Sequence, residues 1–333
     1  MNKRRYIVVL PVFFLIPGVI VFVCGRRDTG VQDGVKGSDT AYRYPEFYRG
    51  FYIHSESGNS RERLKGLITM AKKAGLNAVV IDVQTPGMKP SVTSREHVEY
   101  CIRMGFHPIA RVVVFPEGLK SYPAPKELLE NRLAVAEAAC RAGFREIQFD
   151  YIRFNDHGVA GRVSLSERYE YIAGFIDAAR RRLSKYEVKL AADIFGRIPL
   201  NADDTIGQKM EVFDRVVDII CPMAYPSHYT WSDRMMADPY YTVHLTSKRA
   251  KERASKAEIV TWIQAFRMKV KRSGLAYEKY IEEQIRAVHD AGVKGYLLWN
   301  ASQDYDAPFA VCEDFYRRGA RFTRIGAVDQ REN

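Results

Sequence analysis

The sequence predicts an α/β fold, a (β/α)₈ TIM barrel preceded by an N-terminal hydrophobic export or anchor segment. Two observations carry the barrel. First, a helix-like segment closes at glycine and a β-rich run follows, four times over: "KKAGLNAVVIDVQ", "IRMGFHPIARVVVF", "CRAGFREIQFDYIRF" and "HDAGVKGYLLWNAS". Glycine just past the last helical turn supplies the left-handed cap. Val/Ile-rich runs without strict polar alternation belong to strands covered on both faces, as in parallel sheets. Second, such runs recur eight times, each followed by a candidate helix, over about 270 residues, which is the size of an eight-unit barrel. The rival, a doubly wound open sheet, calls for a GxGxxG turn after an early strand, and the sequence has none.

Taken in order, the chain opens on the basic "MNKRR" and a 19-residue apolar run at 6–24. A basic flank before such a run reads as a signal peptide or membrane anchor over 1–24. An uncleaved anchor, a cleaved signal and a lipoprotein signal ending at Cys24 all stay open. The expectation is an exported protein of the cell envelope, held in a bacterial membrane through residues 6–24 or secreted. Residues 25–48 are Gly- and Asp-rich without apolar period and read as a flexible linker. The barrel is assigned to 49–319 and a C-terminal tail to 320–333. Its strands are expected at 50–55, 78–84, 107–115, 146–154, 189–195, 217–225, 258–266 and 295–301. Helix starts are marked by capping boxes at Asn59/Glu62, Thr93/Glu96 and Ser164/Glu167.

Composition narrows the function. A formal charge of +11 raises nucleic acid as a partner. The Lys and Arg residues, however, are spread over helical stretches ("RERLK", "AARRRLSK", "SKRAKERASK") and no nucleic-acid-binding motif is present, so no nucleic acid is expected. A basic exterior also suits an anionic membrane or wall surface. The five cysteines form no CxxC, and four lie in apolar contexts as buried thiols. HExxH, G-x-S-x-G, P-loop and HxH patterns are all missing, so no metal or cofactor is expected.

Strand parity locates the chemistry. Alternate residues of a strand face opposite ways. Val80, Asp82 and Gln84 share one face; Gln148 and Asp150 oppose Ile147, Phe149 and Tyr151; Asp193 opposes Ala192 and Ile194; Trp262 and Gln264 share a face, as do Met223 and Tyr225. The polar sets are expected in the lumen. Barrels keep their chemistry at the C-terminal strand ends, where Asp150, Asp193, Tyr225 and Gln264 fall. Arg111 lies deeper and is placed to pair with Asp82 or Asp150.

Two carboxyls at a barrel mouth among aromatic rings suit glycosidic bond cleavage, one acid protonating the leaving oxygen while the other acts as nucleophile or activates water. The rings expected at the mouth are Tyr52, Tyr151, Tyr225, Tyr229, Trp231, Trp262 and Trp299. The catalytic pair is read as Asp150, nucleophile or electrostatic stabiliser, and Asp193, general acid/base. Arg153, turned into the mouth, would keep Asp150 ionised. Tyr52, Asp82, Trp262 and Gln264 complete the sugar-binding set, with Trp299 as its floor and Tyr225, His228 and Asn300 on hydroxyls. The partner is then an oligo- or polysaccharide. The alternative is a non-catalytic glycan-binding or envelope-assembly protein on the same barrel.

The runs "IARVVVF", "EIQFDYIRF", "AADIFG", "VDIICPMAYPSHY", "TWIQAF" and "GYLLWNAS" resemble, in order, the strand motifs of the "putative glycosyl hydrolase" barrel family of bacteria. The resemblance runs from about Arg49 to Gly319, over nearly the whole domain. It implies a (β/α)₈ barrel related to carbohydrate-active enzymes that are often exported. On the family's motifs fall Asp150, Asp193, Met223, Tyr225, His228, Tyr229, Trp299 and Asn300. One departure stands out: the family's acidic "DVKDD"-like run after strand 2 is "DVQTPGM" here, and only Asp82 remains. A weaker likeness, to chitinase-type barrels, stops at strand 4, where Ile152 and Arg153 stand in place of the required Glu.

Overall fold

The computed structural model describes residues 42–156 and 162–328, with side chains described as far as 319. The unit that holds the barrel begins at Tyr44. The expected anchor at 6–24, most of the linker and residues 329–333 lie outside the described residues. Among the described residues no helix is long and apolar enough to cross a membrane.

Eight strands close into one parallel barrel in sequence order: β1 (Tyr48–Ile53), β2 (Ala78–Asp82), β3 (His107–Val113), β4 (Glu146–Asp150), β5 (Lys189–Phe195), β6 (Ile219–Met223), β7 (Glu258–Gln264) and β8 (Gly295–Trp299). Strand β8 pairs back onto β1, with Gly295 beside Tyr48. A Cβ at Gly295 would lie 2.2 Å from the Tyr48 carbonyl oxygen, at a φ of +143°, so only glycine lets the seam close. The helices around the barrel are α1 (Ser55–Asn59), α2 (Arg61–Lys73), α3 (Arg95–Arg103), α4 (Lys126–Ala142), α5 (Leu165–Leu183), α6 (Met210–Val216), α7 (Asp233–Ala237), α8 (Pro239–Arg253), α9 (Tyr277–Ala291) and α10 (Asp306–Val328).

The four glycines that mark the strand–helix units, Gly75, Gly105, Gly143 and Gly292, all take positive φ after a helix. The box at Ser164/Glu167 forms in full. The other two helix starts fall one residue later than expected. Ser60, not Asn59, accepts from the Arg63 amide at α2, and Ser94, not Thr93, accepts from the His97 amide at α3. Asn59 instead closes α1 by donating to the Ser55 carbonyl, and Thr93 is fully buried.

Two apolar layers follow from strand parity. Val79, Ile81, Ala110, Ile147, Phe149 and Ala192 pack outward against the helices. Val80, Ile109, Ala191, Ile219, Cys221, Trp262 and Leu297 fill the lumen. At the lumen floor Glu146 accepts from Tyr48 Oη and meets His107 Nε2 at 3.0 Å. A buried carboxyl there has its partners at hand and faces no cavity. The open groups lie at the other end.

Seven of the eight expected strands stop short at that end, all but β5. β4 finishes at Asp150 rather than Phe154, because Tyr151 turns the chain with a φ of +51°. This breaks the alternation. Tyr151, whose parity alone would turn it to the helices, stands half-exposed in the mouth, where its ring was expected.

Candidate active site

The register of β2, β3 and β4 builds the first part of the site. Asp82 sits beside Arg111, and Val113, two residues above Arg111, sits beside Asp150. The Arg111 side chain therefore rises between two carboxylates. Its Nε and Nη2 donate to Asp150 Oδ2 at 2.9 and 2.6 Å, and its Nη1 donates to Asp82 Oδ1 at 2.5 Å. Tyr52 Oη donates to the other oxygen of Asp82, and the Tyr151 amide donates to Asp150 Oδ1 at 2.5 Å. Burial opposes the charge on Arg111, but Asp82 and Asp150 outweigh it and hold the guanidinium well above its ordinary range. The guanidinium also lies 5.1 Å from the ring centre of Trp299 and 5.5 Å from that of Tyr52.

Asp193, from β5, differs in kind. It is 1% exposed, and Trp262 Nε1 donates to its Oδ1 at 2.7 Å. Its Oδ2 has no hydrogen bond among the described residues. Burial, and then the nearby Asp150 charge, push its pKa well above the ordinary carboxyl value, outweighing Arg111 and Trp262. One carboxyl at the mouth is thus ion-paired, and the other is buried with its pKa raised. The Tyr225 hydroxyl faces both: burial, then Asp193 and Asp150, raise its pKa, and it has no hydrogen bond among the described residues.

These groups open onto a cavity of about 330 Å³, walled by Arg111, Asp150, Asp193, Tyr225, Trp262 and Trp299. Trp262 and Trp299 meet edge to face at 5.6 Å, so they present two flat surfaces at a right angle. His228 closes one side; burial and Lys269 lower its pKa, so it stands neutral. The exposed Trp231 on the rim meets the buried Tyr229 at 5.1 Å, their planes tilted by 47°. A Cβ on Gly196 would meet Tyr229 Oη at 2.1 Å, so this glycine makes room for that ring. A second cavity of about 320 Å³ adjoins, lined by Tyr52, His54, Asp82 and Gln84, and it shares Arg111 and Tyr151 with the first.

The structure brings Tyr52, Asp82, Asp150, Arg153, Asp193, Tyr225, His228, Trp262 and Trp299 to these two cavities. Contrary to expectation, it leaves Gln264 and Asn300 out of both. Gln264 is fully buried; its oxygen accepts from the Ser227 amide and Tyr280 Oη, and its nitrogen donates to the carbonyls of Phe266 and Met268. Asn300 donates to the Ala265 and Asp304 carbonyls and accepts from the Ser302 amide. Both amides hold the loops after β7 and β8. The expected partnership of Arg153 with Asp150 also gives way. Arg153 Nη1 donates to the Phe154 carbonyl and to Asp156, and Arg111 is the cation on Asp150. Sequence reasoning missed Phe195, Gly196 and Arg197 as cavity wall; their signal was the position of "FGR" just past a strand end.

A parallel eight-stranded barrel with paired carboxyls and tryptophans at its C-terminal mouth defines a class, that of glycosidase-type barrels. Residues 121–305 match the family described as "Putative glycosyl hydrolase domain", which is more than half of the chain, and the protein belongs to that family. The matched stretch holds Asp150, Asp193, Tyr225, Trp262 and Trp299, whereas Asp82 and Arg111 precede it. No curated protein matches the sequence. Among solved structures the fold is similar to the glycoside hydrolase domain of PgaB (BpsB) from Bordetella bronchiseptica, at 12% identity and a TM-score of 0.60, covering 81% of this chain and 98% of that one. It is also similar to the endo-beta-1,4-mannanase of Thermotoga petrophila, at 11% identity and a TM-score of 0.58, covering 83% and 77%. A third is the spore cortex-lytic enzyme SleL of Bacillus megaterium QM B1551, at 12% identity and a TM-score of 0.56, covering 82% and 75%.

Proposed function

We propose that the protein is a glycoside hydrolase that cleaves a polysaccharide or cell-envelope glycan by a carboxyl-based mechanism. The observation that carries this reading is the unequal pair at the mouth: Asp193, buried and shifted towards its neutral form, beside Asp150, which is ion-paired to Arg111. Environments that set two neighbouring carboxyls apart are what acid and base roles require. Asp193, anchored through Oδ1 by Trp262, presents its free Oδ2 as the proton donor to the leaving oxygen. Asp150 supplies the negative charge that meets the cationic sugar ring in the transition state, as nucleophile or as electrostatic stabiliser. Trp299 and Trp262 offer ring faces to the sugar, and the Tyr225 hydroxyl is free to bind a substrate oxygen. The two adjoining cavities give room for sugar units on both sides of the Arg111–Tyr151 divide.

The test is a comparison of leaving groups. Asp193→Asn is expected to lower cleavage of a natural glycan by about 10²–10⁴-fold, the range of general acid catalysis. It should lower cleavage of an aryl glycoside with a good leaving group far less, since that bond needs no proton. Equal losses on both substrates remove Asp193 from the acid role.

A second reading has its own observation. Arg111 engages Asp150 Oδ2 twice, which leaves that oxygen less open to a substrate. A non-catalytic glycan-binding barrel would keep such a pair. Binding on a glycan panel with no cleavage after prolonged incubation favours it. The apolar run at 6–24 after "MNKRR" supports export to the cell envelope, through a membrane anchor, a cleaved signal or a lipid on Cys24. Mass measurement of the mature N-terminus separates the three.

A further inference from the structure

We infer that the cavity receives a carboxylated sugar, and that Arg153 is the residue that selects it. The inference rests on the glycan-directed reading above and names the substrate class for that same site. Arg153 leaves β4 just past the Tyr151 turn and is 8% exposed, yet it lines the cavity. Its Nη1 donates to the Phe154 carbonyl at 2.9 Å, and its guanidinium lies 4.9 Å from the ring centre of Phe195. The plane of the group is thus fixed before any ligand arrives. Its only ion-pair partner among the described residues is Asp156, at 3.4 Å, and that carboxylate is about half exposed. The Arg153 Nε is buried and has no hydrogen-bond acceptor among the described residues. Nη2 likewise has no hydrogen bond among the described residues.

Nε is sealed from the cavity, so Nη2 is the donor left for a ligand, and a guanidinium donor binds an anion through a charge-assisted hydrogen bond. The other cations of the wall are already engaged. Arg111 is held by Asp82 and Asp150, and Arg197 by both oxygens of Asp204 at 2.7 and 3.0 Å. His228 is neutral. Among the cations of the wall, unmet donor capacity therefore sits on Arg153. A neutral sugar hydroxyl would leave the guanidinium charge uncompensated; a carboxylate both accepts from Nη2 and compensates that charge. The net charge of +11 would further draw an acidic glycan to the protein. The carboxylate belongs either to a uronic acid or to a carboxylic ether on the sugar, and the chemistry at Arg153 is the same for both.

The experiment measures binding by titration calorimetry of three probes: an oligoglucuronate, its carboxyl-reduced neutral counterpart, and a glycan containing muramic acid. Wild-type protein is expected to favour a carboxylated probe over the neutral one by about tenfold or more, the value of a charge-assisted hydrogen bond. The probe that is favoured identifies the source of the carboxylate. Arg153→Gln should bring the ratio close to one, and Arg153→Lys should restore only part of it. Asp156→Asn, a surface change that removes the competing carboxylate, should raise the ratio. If Arg153→Gln fails to fold, the Asp156→Asn result decides. A wild-type ratio of one, an Arg153→Gln protein that keeps the preference, or an Asp156→Asn protein with an unchanged ratio overturns the inference. Reducing ends released from the same probes are scored separately. Cleavage without charge preference sinks the anion site and leaves the hydrolase standing, whereas preference without cleavage does the reverse.

Discussion

Removal of Arg111 tests the electrostatic design of the site. The side chain is 8% exposed and bridges two carboxylates that are 17% and 8% exposed, through three N–H···O bonds of 2.5–2.9 Å. Arg111→Met keeps much of the volume and removes the cation. Asp82 and Asp150 then face each other without compensation in a poorly solvated lumen, with Asp193 beside them. Breaking a buried pair in this way costs about 3–5 kcal/mol. The bonds themselves are not additive and set no larger figure. For a domain of this size a kcal/mol lowers Tm by about 2 °C, so Tm should drop by roughly 6–10 °C. Circular-dichroism melts of the wild type, Arg111→Met, and a triple variant that also carries Asp82→Asn and Asp150→Asn measure it. The triple variant has no unpaired carboxylates at this bridge and should recover much of the loss. A single variant that melts within about 2 °C of the wild type, or a triple variant no more stable than the single one, refutes the buried-pair reasoning.

Three further outcomes follow from particular residues. Asp193 has a raised pKa in the folded protein, so its contribution to stability is fully present below the unfolded value of about 3.9 and is lost as pH rises towards the folded value. Asp193→Asn should therefore gain in Tm relative to the wild type between pH 4 and neutrality, and a difference that does not change with pH contradicts this. Gly196→Ala places a methyl against Tyr229 Oη and the Met223 carbonyl, at 2.1 and 2.4 Å, and should cost about 1–3 kcal/mol as overpacking does, read by urea unfolding. Trp231, 58% exposed on the rim, should leave Tm within about 1 °C when changed to Ala and raise KM for long glycans more than for short ones; equal effects on both would remove it from the binding face.

Much of this arrangement is legible in the sequence, for reasons that can be named. Glycine-ended helices and two-sided apolar strands mark a parallel α/β sheet, and eight such units without a GxGxxG turn point to the barrel over the doubly wound sheet. Parity and depth place Asp150 and Asp193 at the mouth, since a strand alternates strictly up to its last residue. Legibility ends where the strand ends. Tyr151 takes a left-handed conformation that its residue type gives no reason to expect, and it carries Arg153 away from Asp150. Gln264 shares the parity of Trp262 and Asn300 falls on a motif of the family, but their amides are engaged by carbonyls of neighbouring loops whose course the pattern does not contain. At α2 and α3 two capping residues stand side by side, Asn59–Ser60 and Thr93–Ser94, and packing rather than composition chooses the second. Arg111 is readable as a partner of Asp82 or Asp150; that it holds both comes only from the register of three strands.

The central claim is that the protein breaks glycosidic bonds with Asp150 as the charge that meets the sugar. The direct measurement is the release of new reducing ends from a panel of neutral and acidic envelope polysaccharides by the wild type and by Asp150→Asn, both confirmed folded by their melts. The account predicts cleavage of at least one polysaccharide by the wild type and a loss of at least about 10³-fold in the variant, consistent with removal of a principal transition-state charge. An Asp150→Asn protein that cleaves the same polysaccharide at the wild-type rate contradicts it.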